Sequence, residues 1–314
     1  MRIVVGVDGS EASRTALALI AATIWPTGTS IRLVGAYELA VNWAGVAPLP
    51  ADDAADDEAQ RTLFDTLQIW SDPLQRNGCV TESVVARGRA ADVLLAEADE
   101  LRADLIVVGS RGLGVAASAL LGSVSAALVD HAPCPVLVAR GPRVTRILVA
   151  TDGSQSAEAI PAVLLAWNAF CDAPIDVLSV APPGGTDRGL LLSGLLGCEA
   201  RPFDASHEVD RHRVMANEMA ARLVAGGRHA EGAVRTGEAA LQIGAAAADW
   251  GADLIVTGSR GLSGLRRLLM GSVAHHVLLH SRCSVLVMRG HVPASQPRPV
   301  RLPAVARSWR GSAE

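Results

Sequence analysis

Two hydrophobic patterns alternate along the chain. Short apolar runs rich in β-branched residues predict buried strands, and longer segments with apolar residues every three or four positions predict amphipathic helices. In the first half the patterns predict strands over 2–7, 30–37, 80–87, 104–108 and 136–139, and helices over 10–25, 52–76, 90–101 and from 123. This alternation is typical of βαβ units built around a parallel sheet.

The second half of the chain repeats the first. RIVVGVDGS (Arg2–Ser10) returns as RILVATDGS (Arg146–Ser154), ADLIVVGSRGLG (103–114) as ADLIVTGSRGLS (252–263), and CPVLVAR (134–140) as CSVLVMR (283–289). We therefore predict two tandem doubly wound α/β domains, each with a five-stranded parallel sheet flanked by helices. They span 1–141 and 144–290. Residues 291–314 form a tail rich in proline and arginine that we expect to be flexible.

Composition excludes several classes of protein. The chain has 28 basic and 32 acidic residues, and every basic residue is an arginine. A Walker-type loop, a Schiff-base enzyme and a protein kinase each need a lysine, so these classes are excluded. A net charge of −4 offers no basic field for nucleic acid. Five scattered cysteines and the lack of a long apolar segment favour a cytoplasmic protein without a membrane partner.

A glycine-rich loop follows the fourth predicted strand in each copy. Gly109-Ser110-Arg111-Gly112 is followed after nine residues by Gly122-Ser123, and the second copy keeps this spacing from Gly258 to Ser272. Glycines let the backbone approach an anion, and the following helix start supplies amides and a positive dipole end. The spacing predicts a phosphate site, with tight turns of purely structural purpose as the alternative.

An aspartate ends the first strand of each copy. Asp8 and Asp152 stand at the carboxyl edge of the sheet, where doubly wound folds bind ligands. Each carboxylate could accept from a ribose hydroxyl, sit near magnesium, or cap the following helix. Ser10 and Ser154 are competing caps, so binding a ligand is the favoured role of the aspartates.

These residues resemble the universal stress protein family. The resemblance rests on Val7–Ser10, on the spaced glycine loop and on HAPCPVLVAR (His131–Arg140), each with its copy, and it covers nearly all of residues 1–290. The loop pattern is similar to that of the ATP-binding branch. The resemblance implies an adenine nucleotide alpha hydrolase-like fold, ATP with Mg²⁺ in each domain, and a homodimer joined through last strands. In a tandem chain the two halves could instead make that contact internally.

The resemblance also implies two sets of ATP-binding residues. The first set is Gly6, Asp8, Ala36, Gly109, Ser110, Arg111, Gly112, Leu113, Gly114, Gly122, Ser123 and Val124. The second set is Ala150, Asp152, Val180, Gly258, Ser259, Arg260, Gly261, Leu262, Ser263, Gly264, Gly271, Ser272 and Val273. No metal ligand is assigned directly.

No residue is assigned a catalytic role. His131 and His280 form a matched pair but fall at the end of the last helix, away from its Gly-Ser start. The HxGH and SGGxDS motifs of related ATP-using enzymes are absent. We therefore expect a nucleotide-dependent regulator in stress response or growth control, acting on an unidentified protein partner. The alternatives are a slow Mg²⁺-dependent ATP hydrolase and a nucleotide-free dimerisation module.

Overall fold

Strands and helices alternate through both halves of the chain. The computed structural model describes residues 1–38, 53–112, 121–183, 205–259, 270–289 and 309–311. Domain one contains β1 (Arg2–Gly6), α1 (Glu11–Ala22), β2 (Ser30–Tyr37), α2 (Asp53–Arg76), β3 (Val80–Arg87), α3 (Ala90–Leu101), β4 (Leu105–Gly109), α4 (Ser123–His131) and β5 (Val136–Ala139). Domain two contains β6 (Ile147–Thr151), α5 (Gln155–Glu158), α6 (Ile160–Trp167), β7 (Ile175–Ala181), α7 (Ala205–Ala225), β8 (Ala230–Thr236), α8 (Ala239–Trp250), β9 (Leu254–Gly258), α9 (Ser272–His280) and β10 (Ser284–Met288).

Each domain has a doubly wound sheet of five parallel strands, which confirms the predicted fold class. The strand order is β3-β2-β1-β4-β5 in domain one and β8-β7-β6-β9-β10 in domain two. The order reverses beside β1 and β6, since β1 pairs with both β2 and β4, and β6 pairs with both β7 and β9. These reversals place a crevice at the carboxyl ends of the strands.

Two apolar layers cover the faces of the sheet. Side chains alternate along a strand, so Ile3 and Val5 join one core cluster while Val4 joins the other. The central strands β4, β6 and β10 are almost completely buried, which explains their continuous apolar sequences. None of the helices in the described ranges has the length and apolarity needed to cross a membrane.

The first helix begins at a serine cap in both domains. Ser10 Oγ accepts a hydrogen bond from the Ser13 amide at 3.1 Å, so α1 begins one residue after the predicted start. In domain two the corresponding segment is divided into α5 and α6 at Ala159. Pro161 lies in the first turn of α6, and its missing N–H explains why the hydrogen-bond ladder is interrupted there.

The two sheets are joined through their last strands. β5 and β10 run antiparallel, with Leu137 opposite Leu286, and so make one continuous sheet. Two arginines reinforce the junction reciprocally. Arg140 donates to the carbonyls of Leu278 and Cys283, and Arg289 donates to the carbonyl of Val129. The internal contact considered for a tandem chain is therefore present.

A short strand from the tail lies at the far edge of domain one. β11 (Trp309–Gly311) pairs antiparallel with β3 and extends the sheet to eleven strands. The other residues of the tail lie outside the described residues, so its predicted flexibility stays a prediction.

Candidate nucleotide site

The two ends of each glycine loop meet at the carboxyl edge of the sheet. The Gly122 amide donates to the Ser110 carbonyl at 2.7 Å, and the Gly271 amide donates to the Ser259 carbonyl at 2.8 Å. The loop is thus closed in both domains between a strand end and a helix start. Seven predicted site residues lie outside the described residues, namely Leu113, Gly114, Arg260, Gly261, Leu262, Ser263 and Gly264.

The first-strand aspartate lies against this loop in domain one. Asp8 Oδ1 accepts from the Ser10 amide at 3.0 Å, and Oδ2 lies 2.6 Å from the position that a Cβ on Gly112 would take. A side chain at Gly112 would therefore displace the carboxylate. Asp152 makes the same turn contact with the Ser154 amide at 3.0 Å.

Serines cap the helices that follow these aspartates. Ser154 Oγ accepts from the Ala157 amide at 3.4 Å, as Ser10 Oγ does from the Ser13 amide. The competing helix-cap role is thus filled by the serines, while each aspartate accepts the amide hydrogen bond of the turn.

The first glycine of each loop has a packing role that the sequence interpretation missed. A Cβ on Gly109 would lie 2.5 Å from the carbonyl carbon of Ala12 in α1, and a Cβ on Gly258 would lie 2.5 Å from Ser156 Oγ in α5. Close approach of the first helix to the strand end therefore accounts for these glycines independently of any ligand.

Domain two encloses a cavity of about 270 Å³ at the predicted place. It brings together seven predicted residues, Ala150, Asp152, Val180, Gly258, Gly271, Ser272 and Val273. Six further lining residues were not predicted, namely Thr151, Leu178, Ala239, Ile243, Thr257 and Ala274. The period-two alternation of β7 could have identified Leu178 from Val180. Ala239 and Ile243 lie in the first two turns of α8, which carries no recognised motif.

Two helix starts border this cavity. Ala239 is the first residue of α8, and Ser272–Ala274 form the first turn of α9. Neither start has a side-chain cap among the described residues, because Glu238 and Gly271 make no capping hydrogen bond. Their amides and the positive ends of two helix dipoles favour a negatively charged ligand. Among the described lining residues Asp152 is the charged side chain, and its carboxylate suits a hydroxyl donor or a cation bridging to the ligand.

The candidate site of domain one has smaller residues than that of domain two at two corresponding strand positions. Gly6 corresponds to Ala150, and a Cβ on Gly6 would lie 3.0 Å from Leu94 Cδ1 in α3. Ala36 corresponds to Val180 and has a smaller side chain. The start of α4 at Gly122 likewise lacks a side-chain cap in the described part of the chain, with Ser123 and Val124 in its first turn.

The matched histidines lie away from the helix starts. His131 and His280 are the last residues of α4 and α9, and His131 Nδ1 lies 2.9 Å from the Ala127 carbonyl. His276 and His280 border a separate cavity of about 230 Å³ between α8 and α9. The matched cysteines are poor nucleophiles. Burial raises the pKa of the Cys134 thiol to about 12, and burial also raises the pKa of Cys283.

The universal stress protein family model matches the chain twice, over residues 1–140 and 143–289. The chain belongs to the universal stress protein family. This universal stress protein is 28% identical over 317 residues to one from Mycobacterium tuberculosis, a comparison that covers 91% of this chain and 96% of the relative. It is 32% identical over 139 residues to one from Thermus aquaticus, which covers 44% of this chain and 97% of that protein.

Solved structures support the fold of the two-domain chain. A universal stress protein from Archaeoglobus fulgidus has a TM-score of 0.63 at 20% identity and covers 92% of this chain and 98% of its own. A Pseudomonas aeruginosa protein described as a putative universal stress protein has a TM-score of 0.60 at 19% identity, with 92% of both chains covered. At these identities the similarity shows the architecture alone.

Proposed function

We propose that each domain of this universal stress protein binds ATP with Mg²⁺ and that the nucleotide regulates a protein partner in stress response or growth control. The observation that carries the proposal is the cavity in domain two. It lies where the strand order reverses, and its described lining combines an apolar wall, the Asp152 carboxylate and the uncapped starts of α8 and α9. This combination matches the three chemical parts of a nucleotide, which are base, ribose and phosphates.

Each part of the cavity suits one part of ATP. Leu178, Val180 and Ile243 offer apolar surface for the adenine ring. The Asp152 carboxylate can accept from ribose hydroxyls, and the amides at the start of α9 can bind phosphate oxygens. Magnesium in nucleotide sites is held largely by the phosphates and water. Asp152 and the Ser272 hydroxyl are the cavity groups that could complete its shell.

The first domain supplies the same polar groups with a different wall. Asp8, the Gly112 backbone and the Gly122-Ser123 helix start correspond to the groups of the second site. Ala36 leaves a smaller wall than Val180. We therefore propose two ATP sites of unequal affinity.

ATP can regulate the protein if it binds two conformations or assemblies of the protein with different affinity. ATP that binds one conformation or assembly better than another shifts the protein toward that state. A homodimer of whole chains remains part of the proposal. Because β5 and β10 pair with each other within the chain, such a dimer would use a surface other than these two strand edges.

The test is to denature freshly purified protein and to identify and count the released nucleotide by chromatography. We expect about two ATP per chain, falling to about one in an Asp8→Ala/Gly122→Ala variant and in the matched Asp152→Ala/Gly271→Ala variant. Predominantly ADP would support the hydrolase alternative. If no nucleotide is released and none binds at millimolar ATP, the proposal is wrong and the nucleotide-free dimerisation module is the better account.

A further inference from the structure

The two domains differ where their second helix covers the sheet. Gly35 and Ser179 occupy corresponding positions, each four residues after the isoleucine that pairs with the first strand. In domain one, Leu63 of α2 lies directly over Gly35, and a Cβ there would be 2.6 Å from Leu63 Cδ2. In domain two, Ser179 Oγ instead lies 2.8 Å from His212 Nδ1 of α7. An apolar contact in one copy is thus a polar contact in the other.

This polar contact reaches the aspartate turn of the second site. Ser179 Oγ donates to the Thr151 carbonyl at 2.9 Å. A serine hydroxyl has one proton, so the contact with His212 needs a donating Nδ1–H. The resulting chain runs from His212 through Ser179 to Thr151, the residue before Asp152. Ser179 is fully buried and His212 is 8% exposed, so water competes little for these bonds.

A second side chain of α7 contacts the same turn. Met215 Cε lies 3.0 Å from the position of a Cβ on Gly153, and Met215 Sδ lies 3.6 Å from Ser179 Oγ. In the described part of domain one, no atom comes within 4 Å of the corresponding position on Gly9. That turn is contacted from its own helix, because Arg14 Nη2 donates to the Gly9 carbonyl at 2.9 Å.

We propose that α7 is a positioning element for the second site, in which His212 and Met215 fix the Thr151–Ser154 turn and so aim the Asp152 carboxylate into the cavity. The identity of the ligand rests on the proposed function. A turn already held in its binding geometry does not have to be ordered when the ligand arrives, which favours affinity.

The charges around His212 are compatible with this role. Burial is the main cause of its lowered pKa, Arg211 lowers it further, and Glu208 and Asp152 oppose the shift. The imidazole is therefore neutral at neutral pH and can keep the Nδ1–H tautomer that the hydrogen-bond chain requires.

The experiment compares three full-length variants with the unsubstituted protein. His212→Leu introduces the residue that domain one has at this position, Leu63. His212→Asn keeps an N–H donor near the position of Nδ1. Met215→Ala removes the second contact and tests the same support without touching the hydrogen bond.

Amide hydrogen exchange without nucleotide is measured first. The Gly153 and Ser154 amides donate within the turn, so their exchange reports its order. Loss of one buried hydrogen bond should speed their exchange roughly three- to tenfold in His212→Leu. His212→Asn should stay near the unsubstituted rate, and Met215→Ala should again be faster. The Ser10 amide makes the matching bond in domain one and should not change.

Calorimetric titration with ATP and Mg²⁺ is measured second. One of two sites should weaken roughly three- to tenfold in His212→Leu and recover in His212→Asn. The proposal is overturned if exchange at the turn is unchanged in both His212→Leu and Met215→Ala, or if Asn is as damaging as Leu. It is also overturned if exchange speeds up while both ATP affinities stay the same. If the unsubstituted protein binds no ATP, the proposed function fails, and the exchange rates still decide whether α7 holds the turn.

Discussion

Arg140 should contribute strongly to the junction between the two domains. It follows β5 in domain one, yet its Nη2 donates to the Leu278 carbonyl and its Nη1 to the Cys283 carbonyl at 3.2 Å, both in domain two. Leu278 lies in the last turn of α9, where carbonyl groups lack helical partners and the helix dipole is negative. The arginine thus caps a helix of the other domain.

The expected magnitude follows from these contacts. A hydrogen bond to a charged donor contributes about 1.5 to 3 kcal/mol. Burial lowers the pKa of Arg140, but a guanidinium stays charged in proteins. Since the side chain is half-buried and one bond is long, we expect Arg140→Met to lower the free energy of unfolding by about 2 to 4 kcal/mol. Methionine keeps much of the aliphatic stem, so the loss measures the polar contacts.

Urea unfolding followed by tryptophan fluorescence and circular dichroism measures this loss. Arg143→Met is the matched control, because Arg143 is exposed three residues further along the same connection. Arg289→Met should reproduce the effect from the other side, since Arg289 donates to Val129 in α4. A loss below about 0.5 kcal/mol, the usual range for surface substitutions, or an equal loss in Arg143→Met would refute the reasoning.

Three further changes test other parts of the fold. Gly109→Ala should destabilise by about 1 to 3 kcal/mol in urea unfolding, because its Cβ would collide with the Ala12 backbone; an unchanged midpoint would contradict this. Glu97→Ala should cost about 1.5 to 3 kcal/mol in the same assay, because the buried Arg32 guanidinium loses a charged hydrogen bond of 2.7 Å but keeps Glu82 at 2.8 Å and Glu100 at 3.6 Å; a cost below about 0.5 kcal/mol would contradict this. His212 has a lowered pKa in the folded protein, so as pH falls below about 6.5 the unfolded state takes up the proton first and stability declines. His212→Asn should flatten that decline between pH 7.5 and 5.5, and equal slopes would rule out this titration.

The fold could be predicted because its determinants are local and repeated. Strands such as Leu105–Gly109 and Ser284–Met288 are continuous apolar runs, and their recurrence in the same order fixes two copies of one architecture. The meeting of the glycine loop and the first-strand aspartate at one edge of the sheet could also be predicted. Parallel strands bring their carboxyl ends to one edge, so residues far apart in sequence must meet there.

Two contacts near the candidate sites could not be predicted from the sequence, because they depend on packing between distant elements. The tight contact of Gly109 with Ala12 is a matter of fractions of an ångström, so the sequence suggested a phosphate site or a tight turn for this glycine and did not reveal the contact. The contact between Ser179 and His212 joins a strand to a helix without a motif at either position. Such differences appear only when the two copies are compared in three dimensions.

The domain junction and the candidate sites share the same helices. α4 and α9 begin just after Gly122 and Gly271, beside the candidate sites, and the last turn of each accepts a hydrogen bond from an arginine of the opposite domain. Each helix therefore presents its positive end to its own site and its negative end to a cation from the other domain. The same two helices therefore stand beside the candidate sites at one end and carry the contacts between the domains at the other.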